Sequence, residues 1–382
     1  MIYPLKGSFQ NYDWGSRSYI QELIGISTDE PLAELWLGAH HRAPAWINGQ
    51  TLDAFLKENP HLAGSSYSDE QPLPFLMKVL AAQKPLSIQV HPDKAQAKAG
   101  FERENEQGLA LDDQVRNYRD ANHKLELICA LTPFEAMCGF RDFDRIVEAL
   151  QTVGLSRKLA ACERFCAEPN PQTWKECFSV LLCLEGDVLA QTLKNISLLD
   201  PETWALEQAW IEKLTQLYPQ DCGVLAPLYL NIVQLQPLEA LFLDAGTPHA
   251  YLQGAGIEVM AASDNVLRAG LTSKHIDLAE LNNVLIFKPL PIEILKLNSS
   301  NSALRFFPQK ANEFKLGFAQ VNAASQLDLL LDMPAIILCM DGQLTCSKST
   351  SKIQLNRGEA AFCDASEREI KIAGQGAFFV VS

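Results

Sequence analysis

Hydrophobic positions along the chain fall into three zones of different period. From Met1 to about Arg141, short apolar runs alternate with turns, as in LAELWLGAH, LPFLMKVL, LSIQVHP, HKLELICAL and FEAMCGF, which predicts strands. Between roughly Asp142 and Cys222 the spacing becomes helical. Ile146, Leu150 and Val153 lie one helical turn apart, and so do Trp174, Phe178 and Leu181. The sharpest helix signal is Asp200-Pro201, an N-cap followed by proline at the first helical position, with Leu206, Trp210, Leu214 and Leu217 down one side. Strand signals return in VLAPLYLNIVQLQPLEALFLDAG and GIEVMAAS. From Pro291 to Ser382 the chain reads as strand and turn throughout, a second β-unit of sandwich or jelly-roll kind.

Bulk properties narrow the function. A chain of 382 residues exceeds one ordinary core, so two or three domains are expected. No apolar run reaches the roughly 18 residues of a membrane span, and MIYPLKGSFQNYDWGS lacks the flanked hydrophobic block of a signal peptide. A cytoplasmic protein with no membrane partner is expected. The net charge of −14 argues against nucleic acid, although a few focused cations can still hold a small phosphate. Ten cysteines include no CxxC pair, and buried reduced thiols are the expectation. Any metal would then be held by nitrogen and oxygen.

Only seven histidines are available, and none follows His275, so chemistry is expected before residue 290. In LSIQVHP, Ser87, Gln89 and His91 share one strand face, which points either to water or into a cavity. In ANHKLELICAL, a strand would put Asn122, Lys124 and Glu126 on one face and His123 on the other. His249 and Tyr251 share a face after a Gly-Thr-Pro turn, and Glu258, Arg268 and Lys274 follow. Gln89, His91, Glu126 and His249 make a plausible four-ligand set. One carboxylate and three neutral donors leave a divalent zinc at net +1, suited to polarising a substrate oxygen. Spacing alone leaves the bland reading open: isolated strand histidines are more often structural, Gln89 and Glu126 could be solvated, Arg268 and Lys274 could be ordinary surface charges, and Trp14 and Tyr251 could simply pack. His61 and the His40-His41 pair carry no assigned role.

Taken together, NYDWGS, AELWLGAH, LPFLMKVL…KPLSIQVHPDK, RDANHKLELICAL and TPHAYLQGAGIEVMAASDNVLRAGLTSKH resemble the type I phosphomannose isomerases, in that family's order. The resemblance implies a mainly β fold: a cupin-type jelly-roll catalytic barrel from 1–141 and 223–290, a helical insert at 142–222, and a degenerate second barrel at 291–382. It implies one Zn²⁺ per chain on Gln89, His91, Glu126 and His249, and a small phosphorylated sugar as substrate. The implied reaction interconverts mannose 6-phosphate and fructose 6-phosphate through an enediol. Glu258 or Lys124 is the candidate acid–base group, with His123 a candidate for ring opening if a bulge or strand end brings it inward. Arg268 and Lys274 are the first candidates for phosphate, with Ser87 and Lys78 behind them, although Arg268 could instead face the enediolate. Trp14, Glu34 and Tyr251 are expected to line the pocket. The chain departs from the family's usual proline at Ala121, Leu125, Ser273 and His41. Two other readings remain: an Fe(II) cupin oxygenase, and a sugar-binding cupin protein without catalysis.

Overall fold

In the computed structural model, which describes residues 1–68, 71–299, 303–323, 325–331, 333–366 and 368–382, the strand His249–Ala261 organises the first β-unit. Its second half lies antiparallel between Phe75–Ala82 and Glu126–Ala130. Its first residues leave that sheet and pair with Phe134–Phe140, with His249 also opposite Gln89. The crossing falls at Gly254, whose φ is +123° and where a Cβ would stand 2.7 Å from the Pro133 carbonyl oxygen. Glycine alone tolerates both conditions. One strand thus joins two sheets, the larger continuing through Glu34–Leu37 to Ser8–Gln10. The smaller adds Leu230–Leu235 and the short pair Gln89–Val90 with Leu267–Arg268.

Strand alternation decides what each face meets. In the larger sheet Leu35, Leu37, Met77, Val79, Leu127, Cys129, Ile257 and Val259 point outward, into a core shared with Ile336, Leu338, Phe362 and Phe379 of the C-terminal unit. Their alternates, Glu34, Lys78, Glu126 and Glu258, therefore point between the two sheets. In the smaller sheet Ile88, Val90, Ala250, Leu252, Leu267 and Ala269 pack outward against the helices. Gln89, His249, Tyr251 and Arg268 are the inward alternates. Both sheets are covered outside by apolar packing, so the polar strand positions collect in the space between them.

The helical zone comprises Phe143–Thr152, Ala160–Ala167, Pro171–Leu181, Gly186–Asn195 and Pro201–Leu217. Asp200 caps the last of these, its side chain accepting from the Glu202 amide, with Pro201 at the first position as the sequence indicates. The buried stripe is rotated from the expected one. Trp204, Glu207, Trp210, Ile211 and Leu214 face the core, while Leu217 is 40% exposed. Arg141 lies 2.7 Å from Glu207, and this ion pair lets a carboxylate occupy the stripe. Among the described residues, four α-helices fall outside the zone that the sequence pattern marks as helical: Tyr19–Ile24, Leu52–Glu58, Lys94–Glu106 and Leu278–Val284. Lys94–Glu106 has little apolar periodicity, and it is fixed by the Asp93–Gln96 capping box.

In the C-terminal unit the long strands Ala335–Ser347 and Glu369–Val381 pair with each other. The chain's first strand, Ile2–Leu5, pairs with Ala360–Cys363 and so belongs to this sheet, not to the one that holds residues 34–37.

Candidate metal centre and substrate cavity

Between the sheets, His91 and His249 are held by their backbone-facing nitrogens. His91 Nδ1 lies 2.7 Å from the Asn265 carbonyl oxygen, and His249 Nδ1 lies 3.0 Å from that of Thr247. A carbonyl can only accept, so each Nδ1 carries a proton and each ring turns its Nε2 inward. Both Nε2 atoms stand 3.4 Å from Glu126, one at each carboxylate oxygen. Burial, then the Lys124 ammonium, pushes the His91 imidazolium down to about 4, so the ring is neutral at pH 7. Burial opposes ionisation of Glu126, but the Lys124 ammonium, at 2.8 Å, holds it well below the usual carboxylate range. The His91 lone pair therefore faces a carboxylate with no proton between them, and buried His91 Nε2 has no hydrogen-bond partner. That arrangement costs free energy unless a cation sits among the three groups. The donors lie within 4.8 Å of one another. Gln89, opposite His249 across the ladder, lines the same small chamber. Nitrogen and carboxylate donors of this kind fit zinc.

The chamber, about 70 Å³, is also lined by Ser87, Lys78, Glu34, Tyr251 and Glu258. Lys78 Nζ lies 2.9 Å from Glu258 and 3.3 Å from Glu34. Burial opposes the Lys78 charge, but Glu258 and Glu34 outweigh it and raise the ammonium above its ordinary range. Glu258 accepts from the Tyr251 hydroxyl at 2.8 Å. Burial, with Glu126 and Glu34 adding to it against the pull of Lys78, raises this carboxyl above 4.5. Trp36 Nε1 donates to Glu34 at 2.9 Å.

Glu34, Lys78 and Lys124 also line a larger vestibule of about 520 Å³. Its wall carries Arg42, Arg119, Arg268 and Lys274. Arg42 faces Asp264 at 3.4 Å, whereas Arg268 and Lys274 have no carboxylate partner among the described residues. Burial and then Arg119 lower the Arg268 pKa; burial and then Arg268, Arg42 and Arg119 lower that of Lys274. Cations crowded against one another in a cavity favour an anion there.

Residues 2–143 match the model of the phosphomannose isomerase type I catalytic domain. The mannose-6-phosphate isomerase of Salmonella typhimurium (strain LT2) is 40% identical over 386 residues, spanning 97% of each chain. This chain belongs to the type I phosphomannose isomerase family. The Homo sapiens mannose-6-phosphate isomerase is 34% identical over 416 residues, covering 96% of this chain and 94% of its own. A crystal structure of the Salmonella typhimurium mannose 6-phosphate isomerase, bound to substrate and to a zinc atom, has a TM-score of 0.91 and 38% identity. The match covers 100% of this chain and 98% of that one. Another mannose 6-phosphate isomerase structure, holo with zinc bound, has a TM-score of 0.90 at 38% identity and the same coverage.

Within this isomerase two sequence expectations fail geometrically. His123 does not turn inward. No bulge precedes Glu126, where the strand begins, and His123 Nε2 lies 2.6 Å from Glu313 of the C-terminal unit. Trp14 lines neither cavity; it stacks on Tyr12 with ring centroids 5.6 Å apart and packs beside the interior core. Tyr12 reaches the vestibule instead. Sequence reasoning also passed over Arg42 and Arg119. Their only signal is membership in HHRAP and NYRDANH, next to residues already singled out.

Proposed function

We propose that this chain interconverts mannose 6-phosphate and fructose 6-phosphate through an enediol, with zinc held by Gln89, His91, Glu126 and His249. The supporting observation is the pair of imidazole Nε2 atoms 3.4 Å from one buried carboxylate, that of His91 with no hydrogen-bond partner. Three carboxylates, Glu34, Glu126 and Glu258, face two ammonium groups, Lys78 and Lys124, so the chamber's formal charge is −1. A bound divalent ion reverses that sign and supplies Lewis-acid stabilisation for negative charge developing on the C1 and C2 oxygens.

The chain's own groups supply the rest. Glu258 is the acid–base residue: it takes the C2 proton and returns it to the neighbouring carbon C1. Its raised pKa matches it to a weak carbon acid better than an ordinary carboxylate would be. Tyr251 and Lys78 fix one carboxylate oxygen each, which limits where the proton can be carried. Lys124 is occupied by Glu126 and orients that ligand. The phosphate lies in the vestibule against Arg268, Lys274 and Arg119, and the distance to the chamber sets which carbons reach Glu258.

The fold is read as a cupin-type barrel formed by 1–141 and 223–290, with a helical insert at 142–222 and a degenerate second barrel at 291–382. The first strand is shared with that second barrel. A cytoplasmic setting fits ten unpaired cysteines, seven of them buried, and no described helix is long and apolar enough to cross a membrane.

The test is a coupled assay of fructose 6-phosphate formation from mannose 6-phosphate on protein as isolated, after chelation, and after zinc is restored. Activity lost and regained is expected. Folded, zinc-loaded protein without turnover would overturn the assignment, and oxygen uptake with iron would replace it by the oxygenase reading.

A further inference from the structure

Asn265 lines neither cavity, yet its hydrogen bonds reach both His91 and the stretch that leads to Glu126. It is fully buried. Its carbonyl oxygen accepts from His91 Nδ1 at 2.7 Å and so sets the plane of that ring. Its side-chain Nδ2 donates to the backbone oxygens of Asp120 and Asn122, both at 2.8 Å, and to Asp120 Oδ1 at 3.2 Å. Its Oδ1 accepts from the amides of Arg119 at 2.7 Å and Asp120 at 3.2 Å. One amide thus uses both its donors and both its acceptor sites on a single stretch, 119–122. That stretch has no strand pairing of its own and leads directly into Lys124 and Glu126. Asp120 returns the contact, accepting from Ser263 Oγ at 2.8 Å and the Asp264 amide at 2.7 Å.

Three elements meet at this side chain. Its own segment runs on to Arg268, its carbonyl holds His91, and its amide group holds the approach to Glu126. We propose that Asn265 is the positioning residue that fixes the spacing of His91, Glu126 and Arg268, making the metal centre and the anion vestibule one rigid unit. The inference rests on the zinc site proposed above. Partners that orient a ligating histidine act through the ring they hold, and losing one typically weakens metal binding or activity about 10- to 100-fold. Asn265 acts on a second ligand as well, since the loop preceding Glu126 loses its tether when the amide changes.

Asn265→Asp keeps the size but replaces the donor NH₂ with an oxygen facing two carbonyls and the Asp120 carboxylate. The double variant Asn265→Asp with Asp120→Asn restores a donor across that contact. Asn265→Ser, too short to span to 119–122, is a third variant that introduces no charge. Zinc dissociation constants are measured by chelator competition, alongside kcat and KM at saturating zinc and the thermal midpoint of metal-free protein.

The expected result for the two single variants is about 10- to 100-fold weaker zinc binding and a fall in kcat that excess zinc does not repair. Partial recovery of both is expected in the double variant. A lower midpoint with wild-type zinc affinity and kcat would make Asn265 a residue of general stability and overturn the inference. So would variants that are unfolded with and without zinc. If wild-type protein itself binds no zinc at His91 and Glu126, the site assignment falls, and this inference falls with it for that separate reason.

Discussion

At the scale of single residues, the chamber separates two carboxylates by environment. Glu126 is held ionised beside Lys124, whereas Glu258, opposed by burial and by the charges of Glu126 and Glu34, keeps a raised pKa. Glu258→Gln is expected to lower kcat by roughly 10²- to 10⁴-fold while leaving zinc content unchanged, measured by turnover and metal analysis on one preparation. The base acts only when deprotonated, and its pKa in the folded protein lies above 4.5. Activity should therefore fall on acidification at a pH above the ordinary carboxylate range, and the residual activity of the glutamine variant should lack that limb. Lys274→Ala should raise KM for the sugar phosphate and change kcat less, because it removes charge from the vestibule and nothing from the chamber. The candidate metal ligands and Glu258 were legible in the sequence as polar positions on apolar strands. Arg119 and Asn265 were not. Each lies in a loop without period, and its partners are set by a fold that brings residue 265 against residue 120.

Among the secondary-structure elements, the alternation in LPFLMKVL and GIEVMAAS carried most of the information. Both faces of these strands are buried, so Lys78 and Glu258 are polar because they face a cavity and not because they face solvent. Periodicity identifies the two faces of such a strand but cannot say which one meets water. The helix Lys94–Glu106 shows the opposite failure, because its start is written in a cap and not in a stripe. HKLELICAL begins pairing only at Glu126, so strand parity, read from Asn122, extended four residues too far toward its N-terminus. The crossing strand makes a sharp demand at one position. Gly254→Ala should destabilise the protein by about 1–3 kcal/mol, read as a lower thermal midpoint, from the positive φ and the Pro133 carbonyl together. An unchanged midpoint would mean that the two sheets can part there without cost.

For the molecule as a whole, a net charge of −14 surrounds a vestibule lined by cations. An anionic substrate is repelled at long range and attracted at short range. At about 0.01 M salt the Debye length is roughly 30 Å and the substrate senses the whole protein; at 0.1 M it is about 10 Å, and at 1 M about 3 Å. The kcat/KM should therefore first rise with ionic strength and then fall, whereas a steady fall from the lowest salt would show that the vestibule dominates at every range. The pairing of residues 2–5 with 360–363 also bears on how the molecule is made. A ribosome adding about 5–20 residues per second needs roughly 20–70 s to travel from one strand to the other. Residues 2–5 thus emerge long before the strand they pair with, and for that interval this segment is a β-edge without its neighbour, of the kind that chaperones shield.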